Sequence, residues 1–223
     1  MPEKARSFAV IGLGSFGGTV ASELARFGNY VLGIDAAERP VADHADRLAE
    51  AIIADGKDEA ALREAGVGKY DVGVVAIGED LEANIVCTMN LKVLGVKTVW
   101  AKSLSRTHYR ILTRLGADRV IQPEQEVGQH IAQMLHNPAV LDYVSLGNGY
   151  ILVNIAIPEH LEGKTLGSLS LDDTHELRCL GLMRGQQFLS PGDTETELKE
   201  EDRLLVLGRR ANLRSFGDSL LSG

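Results

Sequence analysis

From Phe8 to about residue 136 the chain alternates short apolar runs with stretches whose apolar residues recur at helical spacing. Phe8 to Leu13 is one such run. Val20, Leu24 and Phe27 then mark an amphipathic helix, and a second run closes on Asp35. Apolar residues three or four apart face one side of a helix, whereas an unbroken apolar run of this length suits a strand buried on both faces. The same reading predicts strands at Ala51–Ala54, Asp71–Ile77, Thr98–Ala101 and Arg119–Ile121. Helices are predicted at Glu38–Leu48, Asp58–Gly66, Leu81–Leu94, Ser105–Leu115 and Val127–Leu135, most of them closed by a glycine. Six strands alternating with helices through short turns predict an α/β fold, a doubly wound parallel sheet of Rossmann-like type with strand order 3-2-1-4-5-6.

The pattern changes after residue 136. Asn137 to Gly149 contains a proline, a glycine pair and little periodicity, and is predicted to be a linker. Beyond it, Tyr150–Ile157 alternates as a strand does, Gly163–Leu171 suits a short helix, and Leu177–Met183, Gln187–Leu189 and Arg203–Leu207 read as further strands before a helical tail, Ala211–Leu221. The expected organisation is a nucleotide-binding domain over 1–136, a linker over 137–149 and a small α+β domain over 150–223. A domain that small gains from self-pairing.

Within this frame the first turn carries the strongest chemical signal. Gly12-x-Gly14-x-x-Gly17 sits between the first strand and helix. Gly12 serves the tight bend, Gly14 the approach of backbone to a phosphate, and Gly17 the packing of helix on strand. Amides at the helix start, with the positive end of its dipole, favour an anion. Asp35, at the end of the second strand, is placed for ribose hydroxyls. Ser15 and Phe16 lie within the turn, and Ser15 offers phosphate a hydroxyl without charge. Asp55-Gly56, Ala76 and Gly78 fall at later strand ends. Lys102 ends the fifth strand, where a cation could meet phosphate or be an exposed loop lysine. Glu124, beyond Pro123, could hold a divalent cation or simply complement a helix start.

Composition removes several function classes. A net charge of −8 with no basic cluster gives nucleic acid or an anionic bilayer little to attract. No apolar run approaches the ~18 residues of a spanning helix, and the start MPEKAR before FAVIGLG is read as the lead into the first strand, not as an export signal. Cys87 and Cys179 are expected to be reduced, buried thiols. The six histidines show no zinc spacing and no Tyr-x-x-x-Lys pair occurs, so each histidine is read as a surface or helix-end residue. An NAD-dependent oxidoreductase or NADH-sensing regulator stays as the alternative, because Asp35 would read a ribose common to ATP and NAD.

Taken together, FAVIGLGSFGG at 8–18, VVAIG at 74–78, VWAK at 99–102, LGADRVIQPEQEVG at 115–128, GKTLGSL at 163–169 and LLVLG at 204–208 resemble the cytosolic regulatory subunits of the bacterial Ktr and Trk potassium-uptake systems, proteins of the RCK family. The resemblance implies a non-catalytic, cytoplasmic protein held at the membrane through a potassium-translocating subunit. It implies dimers of the first domain assembled into an octameric ring that changes shape with bound ATP or ADP. Gly12, Gly14, Asp35, Asp55, Gly78 and Lys102 would then belong to the nucleotide site, and Glu124 would hold a cation between two subunits. Cyclic di-AMP binds the second domain of some relatives, and no motif here decides that point. Relatives commonly carry arginine where this chain has Ser15, which implies either weaker discrimination between ATP and ADP or another group that supplies the cation.

Overall fold

A computed structural model describes residues 6–136, 139–192 and 194–221. The chain divides into two compact units, Met1–Glu124 and Gln125–Gly223. The first contains strands β1 (Ser7–Ile11), β2 (Tyr30–Asp35), β3 (Glu50–Ile53), β4 (Val72–Val75), β5 (Thr98–Lys102) and β6 (Arg119–Ile121). All neighbours are parallel and the order is β3-β2-β1-β4-β5-β6, as the alternation predicts. Helices α1 (Ser15–Arg26), α2 (Glu38–His44), α3 (Glu59–Glu64), α4 (Leu81–Val93) and α5 (Arg106–Arg114) form the crossovers.

The two faces of this sheet bury separate apolar groups. Ile11, Leu32, Ile34, Val75, Cys87 and Leu91 pack on one side, and Val10, Leu13, Val31, Val41 and Leu48 on the other. Burying each large aliphatic side chain contributes about 1.5–3 kcal/mol, so continuous apolar strands are what a two-sided sheet demands. Three helix starts are closed by their own side chains. Asp58 caps α3, Asp80 caps α4 and Ser105 caps α5. Helix α2 stops at His44, short of the predicted Leu48, because Leu48 turns back to pack with Leu13 and Val41 beneath the sheet.

Helix α6 (Pro123–His136) begins four residues before the predicted Val127. Proline fits a first helical position, since its missing N–H would have no partner there. The helix contains the boundary between the two units, which sequence placed after it.

In the second unit β7 (Val140–Gly147), β8 (Tyr150–Ala156), β9 (Arg178–Arg184), β10 (Gln187–Leu189) and β11 (Asp202–Arg209) make an antiparallel sheet in the order β10-β9-β11-β8-β7. β7 corrects the linker reading over 140–147. It is an edge strand with little buried surface, so selection for alternation is weak there. Asn137 and Pro138 lie outside the described residues. The helix expected over Gly163–Leu171 is instead a 3-10 turn, Leu166–Leu169, followed by α7 (Leu171–His175). Helix α8 (Arg210–Leu221) packs Leu213, Phe216 and Leu220 with Ile151, Val153, Ile155, Leu204 and Val206. Among the described residues no helix is long and apolar enough to cross a membrane.

Candidate functional site

The carboxyl ends of all six parallel strands meet along one edge of the first unit, the edge at which open α/β sheets hold ligands. After β1 the chain turns at Gly12, whose φ of +94° suits glycine. A Cβ there would come 2.9 Å from the Ile77 nitrogen. At Gly17 a Cβ would lie 1.8 Å from the Gly12 carbonyl oxygen and 2.7 Å from the Ala76 Cβ, so helix and strand approach as closely as only glycine allows. Gly14 differs, because a Cβ there meets nothing within 4 Å. Its emptiness is required by no atom of this chain and leaves room for another molecule.

Gly14 is also the N-cap of α1 and supplies no side-chain cap. The first helical bond runs from the Gly18 N–H to the Gly14 carbonyl, which leaves the amides of Ser15, Phe16 and Gly17 without intrahelical acceptors. Unlike α3, α4 and α5, this helix presents its positive end uncapped.

Asp35 braces the turn. Its carboxylate accepts the Leu13 N–H at 2.7 Å and the Ala37 N–H at 2.9 Å. Across the cleft Asp55 accepts the Lys57 N–H at 2.9 Å and lines the cleft as well. Gly12, Gly14, Asp35, Asp55, Gly56, Ala76 and Gly78 bound a single cleft of about 340 Å³. A second hollow continues from it, sharing Gly14, Ala76 and Gly78, and adds Ser15, Phe16, Glu79, Lys102 and Glu124. Thus eleven of the predicted residues line the two hollows directly. Gly17 lies behind them as the packing contact.

Lys102 is not a loop lysine. It is 7% exposed, and its ammonium sits 2.5 Å from Glu124 Oε1 and 5.6 Å from the centre of the Phe16 ring. Gly78 makes room for it, since a Cβ there would stand 3.2 Å from the ammonium nitrogen. The Lys102 ammonium holds the Glu124 carboxyl below the usual carboxylate range against the upward push of partial burial.

Two residues at this edge escaped sequence reading. Asn84, fully buried in α4, donates through Nδ2 to the Ile77 carbonyl at 2.6 Å and the Lys102 carbonyl at 3.0 Å. Asn90 donates to the Gly56 and Lys57 carbonyls at 3.2 and 3.0 Å. Together they tie three strand ends to one helix. The available signal was a pair of amides in a helix whose neighbours Ala83, Cys87 and Leu91 are all apolar and buried, where a polar group must find a partner.

Cys87 lies below Gly56, and burial pushes its thiol up to about 12, which keeps it protonated and unreactive. Cys179 is half-buried in the second unit. Of the histidines, His108 stands at a helix end, in the first turn of α5, but is 1% exposed and not on the surface, and burial pushes its pKa down. Among the described residues no three His, Cys, Asp or Glu side chains are grouped to hold a metal ion.

Asp35→Asn is expected to weaken any ribose-bearing ligand about 10-fold, because one of its two backbone N–H bonds then meets an amide NH₂. Isothermal titration checks this, and unchanged affinity would remove Asp35 from the site.

Comparison with known proteins agrees with the geometry. The TrkA-N domain model matches residues 8–123 and the TrkA-C domain model residues 150–221. Ktr system potassium uptake protein A of Bacillus subtilis (strain 168) is 34% identical over 214 residues, covering 96% of each chain. Its namesake from Vibrio alginolyticus is 36% identical over 215 residues, covering 96% of this chain and 98% of that one. A crystal structure of GsuK bound to ADP matches 58% of this chain and 33% of its own at 26% identity, with a TM-score of 0.50.

Proposed function

The chain belongs to the TrkA-N/TrkA-C family of potassium-uptake proteins, and on that basis we propose that it is a nucleotide-binding regulatory subunit that gates a membrane potassium transporter. The observation that carries this reading is the convergence of an uncapped helix start, the Gly12–Gly17 turn and Asp35 on one cleft. Phosphates would rest on the amides of Ser15, Phe16 and Gly17, and Asp35 would accept from a ribose. The adenine nucleotide ADP, held by the related GsuK, fits this arrangement, and ATP or NAD would present the same ribose to Asp35.

We read the protein as a sensor and not an enzyme. Binding does work here only if the two conformations of the assembly differ in affinity for the ligand, since equal affinity shifts no equilibrium. Self-association into a ring is supported by α6, where Val127, Ile131 and Leu135 repeat every four residues and stay 56%, 45% and 78% exposed. An octamer, attachment to the membrane through the transporting subunit, and cyclic di-AMP on the second unit complete the reading.

A divalent cation at Glu124 fits less readily within one chain. The Lys102 ammonium sits on Oε1, which leaves Oε2 to a cation, and among the described residues no group of three His, Cys, Asp or Glu completes a site, so further ligands would have to come from a second copy.

The test is potassium flux into vesicles that contain the transporting subunit, with this protein added in the presence or absence of ADP and ATP. Nucleotide-dependent flux is expected. Flux indifferent to nucleotide, with the protein bound, would reject gating. Light scattering on the same protein checks assembly, and a monomer at every concentration would reject the ring.

A further inference from the structure

Between α8 and the paired strands β7 and β8 of the second unit lies a hollow of about 220 Å³. Its floor is apolar. Ile151, Val153 and Ile155 fall at every second position of β8 and so share one face, where Leu213 of α8 packs with them. These four are buried, and Val140 and Tyr143 of β7 are partly buried beside them. Protein interiors leave few voids larger than a water molecule, and a hollow walled by aliphatic groups favours an apolar guest over water. The rim is of another kind. Arg210 and Arg214 stand one turn apart on α8, joined by His136 from the end of α6 and by a single carboxylate, Asp218. Because α8 begins at Arg210, the positive end of its dipole lies at the same rim. Histidine apart, two guanidiniums against one carboxylate leave this rim positive in a chain whose overall charge is −8.

We propose that the hollow binds a monocarboxylate with a short aliphatic body, its hydrocarbon over β8 and its carboxylate at the rim on Arg214. A guanidinium pairs with a carboxylate through two parallel N–H bonds, which fixes the charged end, while removal of the hydrocarbon from water drives the other end inward. The volume lies below the range of about 300–1,000 Å³ usual for drug-sized ligands, so the guest is small. A doubly charged phosphate suits the rim less well, since Asp218 would repel it. Every lining residue belongs to the second unit, and the inference is therefore independent of the nucleotide-binding reading.

The experiment is isothermal titration of the full chain with sodium octanoate, with 1-octanol as the tail without the charge, and with acetate as the charge without the tail. Octanoate is expected to bind, 1-octanol to bind about 10-fold more weakly, and acetate to give no detectable heat. Arg214 is exposed, so Arg214→Ala should leave the fold intact, raise the octanoate dissociation constant by about 10-fold and leave that of 1-octanol unchanged. Val153→Phe fills the floor and should abolish binding of both; if its thermal transition shows that it does not fold, Arg214→Ala decides alone. Absence of octanoate binding by the wild type, an octanoate affinity unaltered by Arg214→Ala, or octyltrimethylammonium bound as tightly as octanoate overturns the proposal. Capture of the protein by phosphatidylglycerol vesicles without octanoate binding would overturn it too, and would mark the same rim as a membrane contact.

Discussion

Gly17→Ala is expected to bring binding of adenine nucleotide below detection and to lower the stability of the first unit by about 3 kcal/mol. The added methyl carbon would stand 1.8 Å from the Gly12 carbonyl oxygen and 2.7 Å from the Ala76 Cβ. Neither neighbour can yield cheaply, since one is backbone in the turn itself and the other sits at the end of β4. Relief requires α1 to lift away from β1, which moves the Ser15 and Phe16 amides from the cleft. Gly14→Ala provides the contrast. Its methyl meets no atom of the chain within 4 Å, and its φ of −64° is ordinary. Stability should therefore change by less than about 0.5 kcal/mol while ligand affinity falls, because the methyl takes space at the cleft. Denaturant unfolding and isothermal titration on both variants measure the two effects. Equal stability of Gly17→Ala and wild type would refute the close approach of helix and strand.

The second large effect is expected in the other unit. Asp202, 1% exposed at the start of β11, accepts from Arg184 Nε at 2.8 Å, from Arg184 Nη2 at 2.7 Å and from the Lys199 N–H at 2.9 Å. Arg184 Nη2 also donates to the Glu197 carbonyl. Asp202→Asn leaves the guanidinium without its counter-charge and turns an NH₂ group toward donors. A loss of about 3 kcal/mol is expected, the order found when one partner of a buried pair is removed. Burial pushes the Asp202 carboxyl up, but the bonds from Arg184 and Lys199 together outweigh it and hold the group below its ordinary value. A carboxyl depressed on folding contributes stability that is fully present above the unfolded pKa, about 4, and is lost as pH falls through the lower folded value. Acid unfolding of the second unit should therefore steepen below about pH 4 in the wild type and flatten in Asp202→Asn. Identical acid limbs would show that the pair contributes no pH dependence.

How far such features could be read in advance depended on whether they repeat along the chain. The order of the six strands followed from apolar periodicity and short connections, because handed crossovers leave few arrangements for that pattern. The predicted site residues line the two hollows, or back them as Gly17 does, for the same reason. Each lies at a strand end, and a parallel sheet brings strand ends to one edge. β7 was missed because an edge strand that gives the core only Val140 and Tyr143 carries little hydrophobic alternation. Asn84 and Asn90 were missed because their partners are carbonyl groups of distant turns, and a carbonyl leaves no mark on residue identity.

The order of residues was thus enough for the parallel sheet, the glycine turn after β1 and the presence of a larger α/β and a smaller α+β part, since all three arise from local conformation and the side on which apolar groups fall. Pairing across space was a different matter. Lys102 and Glu124 are 22 positions apart, and as isolated letters one reads as a phosphate ligand and the other as a metal ligand. Folding sets their charges 2.5 Å from each other, and each is therefore the other's first partner before any ligand arrives. Coulombic attraction depends on distance and surroundings, quantities that exist only once the chain has closed on itself.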